Sequence, residues 1–111
     1  MTHKMNLAAA PFAAIAEGKK TVEMRLYDER RVGIAVGDDI EFENNETNQI
    51  ITCRVVNLTR YSDFFELYSH FDKTARGYKE EEFANPEDMY QYYSPELIEK
   101  YGVLAIEIKL L

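Results

Sequence analysis

The stretch Gly18–Arg25, GKKTVEMR, decides the fold because a helix ends and a strand begins within it. It also places four charged side chains at this junction. Pro11 stands at a first helical position and Gly18 just past a helix end, so the residues between them are predicted to form a short helix. The alternation that follows predicts a strand. In that strand the core face carries Val22, Met24 and Leu26, and the opposite face, directed outward or into a cleft, carries Thr21, Glu23, Arg25 and Tyr27.

The charged face of this strand can be interpreted in two ways. Glu23 and Arg25 are two residues apart, about 7 Å along a strand, so we expect them to influence one another without forming a tight pair. Lys20, in the preceding turn, can lean over the same face. The three side chains form either a weak, solvated surface ion pair or a ligand site in a cleft. As exposed charges, Lys20 and Arg25 are expected to change the free energy of unfolding by about 1 kcal/mol or less when replaced by Ala.

A hairpin is predicted in the middle of the chain. The turn at residues 36–38 leads into a strand with Ile40 and Phe42 on one face. The polar run at residues 44–48 is typical of a hairpin tip, and residues 50–60 are predicted to form the returning strand.

An aromatic helix and an irregular segment are predicted next. Ser62 is a candidate N-cap for the helix. Its apolar face would hold Phe64, Phe65, Leu67, Tyr68 and Phe71. Residues 72–84 are the least regular part of the chain, and their acidic run Glu80–Glu82 is typical of a solvated loop.

The last part of the chain predicts two helical turns and a closing strand. Residues 85–86 (Asn-Pro) and 94–95 (Ser-Pro) each combine an N-cap with proline at a first helical position. Gly102 ends the second turn, and residues 103–110 form a strand. Because strands and helices do not alternate regularly, the order favours an α+β fold, a small and mostly antiparallel β-barrel with flanking helices, over a doubly wound sheet. A length of 111 residues predicts one domain over residues 1–111.

Composition excludes several classes of protein. No stretch is apolar enough to cross a membrane, and no secretory signal is recognisable. Cys53 is the single cysteine, which favours a reducing cytoplasmic location, and its strand-like context predicts a core position rather than a nucleophile. His3 and His70 lack metal-ligand spacing, so we expect no metal and no cofactor. His70 is expected to pack within the aromatic helix.

The charge is unevenly distributed along the sequence. Residues 19–31 contain five basic and three acidic residues, a local charge of +2, so the remainder carries −9 within the total of −7. An acidic body argues against charge-driven capture of long nucleic acids. A small positive region on such a body suits one phosphate or a short nucleic-acid segment.

Two blocks of sequence resemble the ASCH domain, a branch of the PUA-like superfamily. The first is G-x-K-x-x-E-x-R at Gly18, Lys20, Glu23 and Arg25, after the helical phrase at residues 11–17. The second is MYQYYSPE followed by KYGVLAIEI, which resembles the closing helix and strand of small stand-alone ASCH proteins. With the turn and strand at residues 36–42, the resemblance extends over nearly the whole chain and implies a PUA-like β-barrel with a cleft between the barrel and the helices.

The resemblance also implies where function would reside. Some ASCH relatives hydrolyse acetylated cytidine nucleosides with a threonine nucleophile at the position of Glu23 and an activating lysine at the position of Lys20. Others are RNA binders or weak ribonucleases. Here the nucleophile position holds a carboxylate, which could serve only as a general base toward water. Tyr93 and Ser94 are weaker candidates for the wall of the cleft.

We therefore expect a single ASCH domain that binds a small RNA element, a nucleotide or a modified nucleoside. Lys20, Glu23 and Arg25 would form the site, with Tyr93 and Ser94 as additional contacts. Lys20 and Glu23 would be the catalytic residues if the protein is instead a hydrolase acting on an acetylated cytidine-type nucleoside or on RNA phosphodiesters. A third possibility is a protein-interaction module whose acidic face docks a basic partner.

Overall fold

Five strands form one mixed sheet in the computed structural model, which describes residues 1–111. They are β1 (Thr2–Leu7), β2 (Val22–Leu26), β3 (Asp39–Asn44), β4 (Ile50–Tyr61) and β5 (Val103–Leu110). Their order in the sheet is β1-β3-β4-β5-β2, and the sheet curls into a half-barrel. The predicted α+β fold with a PUA-like barrel and flanking helices is confirmed, with β1 and β2 as the two edge strands of the half-barrel.

Three of the four strand pairings are antiparallel, as predicted, and β1 adds a parallel pairing with β3. Met5 of β1 lies opposite Phe42 of β3 in this register. The sequence does not predict β1, because this short stretch offers only Met5 and Leu7 as buried apolar positions. Its pairing partner lies more than thirty residues away in the sequence, so no local turn announces it.

The helices flank this sheet. They are α1 (Ala9–Ala16), α2 (Phe64–Tyr68), a 3₁₀ helix (Pro86–Gln91) and α3 (Pro95–Tyr101). Two predicted N-caps are confirmed, since the Asn85 side chain accepts a hydrogen bond from the Glu87 N–H and the Ser94 hydroxyl accepts one from the Leu97 N–H. Gly102 ends α3 with a φ of 71°, a conformation that glycine adopts without strain. None of the helices combines the length and the hydropathy needed to cross a bilayer.

The predicted starts of α1 and α2 are wrong by one or two residues. Pro11 occupies the third position of α1. The first four N–H groups of a helix have no acceptor within the helix, so the missing N–H of proline costs no hydrogen bond there. Helix α2 is capped by Asp63, which accepts a hydrogen bond from the Glu66 N–H at 2.9 Å. Ser62 instead donates to the Glu66 carboxylate at 3.2 Å. A carboxylate is the better acceptor at a helix N-terminus because it also interacts favourably with the helix dipole.

Helix α2 is also shorter than predicted, so two expected helical side chains lie beyond its end at Tyr68. Phe71 packs against the core from outside the helix. His70 is exposed, with its ring stacked on Tyr61 at a centroid distance of 5.0 Å. The expectation that His70 packs within a helix is therefore wrong.

Two apolar clusters lie on the two faces of the sheet, and β5 contributes to both. Leu104, Ile106 and Ile108 belong to one cluster, and Val103 and Ala105 belong to the other. Since strand side chains alternate between faces, β5 is buried on both sides and its sequence is nearly continuous in apolar residues. The first cluster also contains Ile40, Phe42 and Cys53, all fully buried on one face as predicted for these positions. Burial raises the pKa of the Cys53 thiol to about 11, which makes it unreactive at neutral pH.

Candidate functional site

A cleft of about 1390 Å³ opens between α1, β2, the irregular segment 72–84 and the 3₁₀ helix. Segment 72–84 contains no helix or strand, as predicted, and its Glu80–Glu82 run is exposed at the rim of the cleft. The charged residues on the floor and walls include Lys20, Glu23, Arg25 and Arg76.

The register of β2 explains why charged side chains point into the interior of the half-barrel. Glu23 lies opposite Ile106 of β5, and Arg25 lies opposite Leu104. Residues that face each other across an antiparallel pair share one side of the sheet, so Glu23 and Arg25 extend the inner face on which the core residues lie. The predicted alternation is thus confirmed, and the charged face is directed into a cleft.

Glu23 joins the three charges in one compact set. Its Oε1 lies 2.9 Å from the Lys20 Nζ, and its Oε2 lies 2.6 Å from the Arg25 Nη2 and 2.8 Å from the Arg25 Nε. Lys20 is 7% exposed and Glu23 is 3% exposed. The expectation of a loose, solvated pair is wrong, because the long Arg25 side chain folds back along the strand and burial favours direct pairing of opposite charges.

The contacts within this set shift the pKa values of Glu23 and Arg25. Because Lys20 and Glu23 are buried, the expectation that Lys20 and Arg25 are exposed charges with little effect on folding is also wrong. Burial raises the pKa of the Glu23 carboxyl, but the adjacent charges and hydrogen bonds of Lys20 and Arg25 outweigh it and bring that pKa down to about 2. Burial likewise opposes the charge on Arg25, but the Glu23 carboxylate and the Tyr93 hydroxyl outweigh it, so the pKa of Arg25 is raised. Glu23 is therefore ionised at neutral pH and is a weak base.

Backbone hydrogen bonds hold the Arg25 guanidinium directly and fix the main chain next to Lys20. The Arg25 Nη2 donates to the carbonyl oxygen of Asn6 at 3.1 Å. Around Lys20, the Ala75 carbonyl accepts hydrogen bonds from the Thr21 and Val22 N–H groups at 2.8 and 3.0 Å, which fixes segment 72–84 to the start of β2. The ammonium and guanidinium groups are thus preorganised before any ligand arrives.

Gly77 lies directly on the Lys20 side chain. A Cβ added to Gly77 would lie 3.0 Å from the Lys20 Cδ and 3.7 Å from its Nζ. Its φ of 105° is one that side-chain-bearing residues rarely adopt. A side chain at position 77 would therefore require both a strained backbone and a displacement of the Lys20 side chain.

The two weaker site candidates occupy different surroundings. Tyr93 lines the cleft, and its ring stacks on Phe64 at a centroid distance of 6.1 Å. Ser94 is half-buried, caps α3, and is not among the residues that line the cleft. Tyr92 also lines the cleft and is 63% exposed. The structure thus brings Lys20, Glu23, Arg25 and Tyr93 together in one cleft and leaves Ser94 outside its lining.

Sequence reasoning missed Arg76, a buried cation in the same cleft. It lies in a segment without periodicity, so no pattern predicts its burial. The one available signal is its position between Ala75 and Gly77, where small neighbours allow the backbone to approach other elements closely. No cluster of three or more His, Cys, Asp or Glu side chains is placed to hold a metal ion.

Comparison with known proteins reveals one family. The ASCH domain family model matches residues 5–111. The crystal structure of the hypothetical protein PH0355 is 33% identical with a TM-score of 0.83, and the match covers 100% of both chains. The solution structure of a Pyrococcus furiosus protein is 32% identical with a TM-score of 0.72, and it covers 100% of this chain and 98% of that one.

More distant structures share the fold. The ASCH protein of Zymomonas mobilis is 19% identical with a TM-score of 0.67, covering 97% of this chain and 66% of that one. No curated protein matches the sequence significantly.

Proposed function

The chain belongs to the ASCH domain family, and from that premise we propose that its cleft binds a short RNA element, a nucleotide or a modified nucleoside through Lys20 and Arg25, both oriented by Glu23. The family is in general RNA-binding and PUA-like. The observation that carries the proposal is the Lys20–Glu23–Arg25 set on the inner face of the half-barrel, with Lys20 and Glu23 buried and Arg25 half-buried, in the cleft of about 1390 Å³.

The charge balance of this set favours a ligand with hydrogen-bond acceptors. Two cations face one carboxylate, so the set carries a net charge of +1. Both carboxylate oxygens are engaged, by Lys20 on one side and Arg25 on the other. The remaining N–H groups of the two cations are therefore the free donors, and they suit a base carbonyl or a phosphate oxygen. Glu23 acts by fixing their positions.

Aromatic side chains at the cleft supply a second kind of contact. Tyr93 lines the cleft beside Arg25, and Tyr92 presents an exposed ring. Unpaired bases stack on such rings, and stacking tolerates different base identities. A cleft with cations on its floor and aromatic rings at its edge suits one or a few nucleotides.

The net charge of the protein favours a single nucleotide or a short RNA over a long nucleic acid as the ligand. The cations of the cleft sit in an acidic body with a net charge of −7. A long polyanion would meet repulsion outside the cleft, whereas a single nucleotide would not extend beyond it.

The test is calorimetric titration of the native protein with short single-stranded RNA and with nucleosides. Replacing Lys20 by Met should weaken binding by about tenfold or more, because a charge-assisted hydrogen bond is lost. Arg30→Met is the matched control, since Arg30 is a largely exposed cation outside the cleft that pairs with Asp28. Circular dichroism confirms that each variant is folded. Equal affinities of native and folded Lys20→Met proteins, or no binding by the native protein, would overturn the proposal.

Hydrolysis of an acetylated cytidine-type nucleoside or of an RNA phosphodiester is the second candidate function. It is favoured by the 2.9 Å contact between Lys20 and Glu23, the position at which hydrolytic relatives carry their nucleophile. The low pKa of Glu23 and the engagement of both its oxygens make it a poor base toward water. Binding is therefore the better supported function.

A protein-interaction module is the third candidate, carried by the exposed acidic run Glu80–Glu82. Reversing these charges to Lys should abolish a complex with a basic partner and leave nucleotide affinity intact. Loss of nucleotide binding in that variant would instead assign the run to the rim of the nucleotide site.

A further inference from the structure

Arg76 is a buried cation of the cleft that the proposed site leaves unexplained. It is 6% exposed, and its guanidinium carbon lies 3.9 Å from the ring centroid of Tyr68 and 5.5 Å from that of Tyr78. Its Nε donates to the Phe71 carbonyl oxygen at 3.2 Å. Its Nη1 is buried and has no hydrogen-bond partner, and no other buried side-chain nitrogen or oxygen of the protein lacks one.

The charge of Arg76 is also unpaired. The other two buried cations each have a carboxylate partner: Lys20 pairs with Glu23, and Arg31 lies beside Asp28. No carboxylate oxygen lies within 4.0 Å of the Arg76 guanidinium. Burial lowers the pKa of Arg76, while the Tyr68 and Tyr78 hydroxyls and the more distant Asp72 only partly offset it. A buried guanidinium with an unfilled donor is unfavourable for folding alone, and such groups concentrate at binding sites.

The surroundings of Arg76 hold its guanidinium in one orientation. The hydroxyls of Tyr68 and Tyr78 are 2.8 Å apart, and the Tyr78 hydroxyl donates to the Asp88 carboxylate at 2.9 Å. These hydrogen bonds fix both tyrosine rings, and the rings in turn fix the plane of the guanidinium that stacks on them. Asp88 is occupied by the Tyr78 hydroxyl and does not neutralise Arg76. The acidic run Glu80–Glu82 is exposed at the rim, where solvent screens its charge.

Arg76 and the Lys20–Glu23–Arg25 set lie close together. Gly77, the next residue after Arg76, packs on the Lys20 side chain. Consecutive Cα atoms are about 3.8 Å apart, so the backbone of Arg76 is within one residue of the contact with Lys20. Arg76, Lys20, Glu23 and Arg25 also line the same cleft, so a ligand that fills this cleft can contact all of them.

We propose that Arg76 forms a second, anion-binding subsite of the cleft, which takes a phosphate of a nucleotide whose base and sugar lie against Lys20 and Arg25. This inference rests on the proposed function and adds to it that the ligand carries phosphate. The phosphate could be a terminal monoester or the diester of an RNA backbone, and both present the oxygen acceptors that a guanidinium fork binds.

The test compares three probes by calorimetry: cytidine, cytidine 5′-monophosphate and the dinucleotide CpC. The native protein should bind at least one phosphate-bearing probe more tightly than cytidine. Arg76→Met should weaken that binding by about tenfold or more and change cytidine affinity by less than about twofold. The preference between the monophosphate and CpC identifies the monoester or the diester as the source. Arg54→Met is the control, since Arg54 is an exposed cation outside the cleft and its loss changes the net charge equally.

A second measurement follows the Arg76 side chain in the native protein. Arginine side-chain ¹⁵N–¹H NMR, with the Arg76 signal assigned from Arg76→Lys, should show that signal shifting with the preferred phosphate probe and not with cytidine.

Two results would overturn the inference and leave the proposed function standing: an undiminished preference for phosphate in Arg76→Met, or an Arg76 signal that does not respond to phosphate. Failure of the native protein to bind any probe or short RNA would overturn both.

Discussion

The Arg25 Nη2 donates to the backbone carbonyl of Asn6 at 3.1 Å, and this bond joins the two edge strands of the half-barrel. The sheet order places β1 at one end and β2 at the other, so the bond spans the opening that the sheet leaves between them. The side chain that supplies a charge to the cleft therefore also ties its two sides together. Fold and site depend on the same guanidinium.

We expect Arg25→Lys to be more disruptive than its conservation of charge suggests. Lysine has no planar fork, so it cannot contact Glu23 and Asn6 simultaneously in the geometry that Arg25 uses. The free energy of unfolding should fall by about 1–3 kcal/mol, measured by urea denaturation. Amide hydrogen exchange should accelerate in β1 near Asn6. Unchanged exchange there would show that the Arg25–Asn6 bond contributes nothing to holding the edge.

Glu23→Gln should destabilise the protein strongly although the two side chains have the same shape. The substitution leaves the buried Lys20 and the half-buried Arg25 without their shared counter-charge, which is expected to lower the free energy of unfolding by about 3–5 kcal/mol at pH 7. Glu17→Gln is the matched control, because Glu17 forms an exposed pair with Lys19 at 3.5 Å and should contribute less than about 1 kcal/mol. Similar effects of the two substitutions would contradict the burial argument.

Acid should destabilise the native protein through Glu23. Its pKa is about 2 in the folded state against 4.5 for the unperturbed group, so the unfolded chain binds a proton more readily. The resulting stability, on the order of 3 kcal/mol, is fully present above about pH 5 and is lost as the pH falls toward 2. Asp38, whose pKa His3 and the Ala35 N–H lower to about 2, acts in the same window. The contribution of Glu23 is isolated by measuring the unfolding free energy of the native protein and of Glu23→Gln from pH 7 to pH 2.5. The difference between the two proteins should shrink as the pH falls. A constant difference would refute the assignment of this stability to Glu23.

Most of the fold could be predicted from local signals. The Ser94 cap, Gly102 and the apolar run of β5 are each encoded within a few residues, and the structure confirms all three. Strand β1 could not be predicted, because its pairing with β3 depends on residues distant in sequence. The N-cap of α2 could not be predicted either. Ser62 and Asp63 both offer an oxygen acceptor, and only their backbone conformations decide which one caps the helix.

The residues of the candidate site were predicted better than its geometry. Alternation along β2 places Glu23 and Arg25 on one face, which the structure confirms. It does not show that this face lies inside the half-barrel, and burial is what turns a loose pair into contacts of 2.6 and 2.8 Å. Arg76 could not be predicted, because its burial follows from the path of an irregular segment over Tyr68.

Gly77→Ala should weaken ligand binding by displacing Lys20. The added Cβ would meet the Lys20 side chain at 3.0 Å, and the φ of 105° penalises any residue with a side chain by about 1–3 kcal/mol. We expect a loss of unfolding free energy of that size in urea denaturation, together with weaker nucleoside affinity. Gly33→Ala is the control, since a Cβ there meets no atom within 4 Å and its φ is not positive. If Gly77→Ala binds as tightly as native protein, contact with segment 72–84 does not position Lys20.

The hydrolase alternative can be tested at Glu23, the position at which the resemblance to hydrolytic ASCH proteins implies a threonine nucleophile. We expect the native protein to release little acetate from acetylcytidine, because the Glu23 carboxylate is a weak base and cannot replace a hydroxyl nucleophile. Glu23→Thr places a hydroxyl near the Lys20 ammonium, and turnover should become measurable if the remainder of the pocket accepts the nucleoside. The assay is chromatographic detection of acetate release. Glu23→Val, which has the shape of threonine without the hydroxyl, is the control and should be inactive. Robust turnover by the native protein that is lost in Glu23→Gln, at a temperature where that variant is folded, would place catalysis above binding.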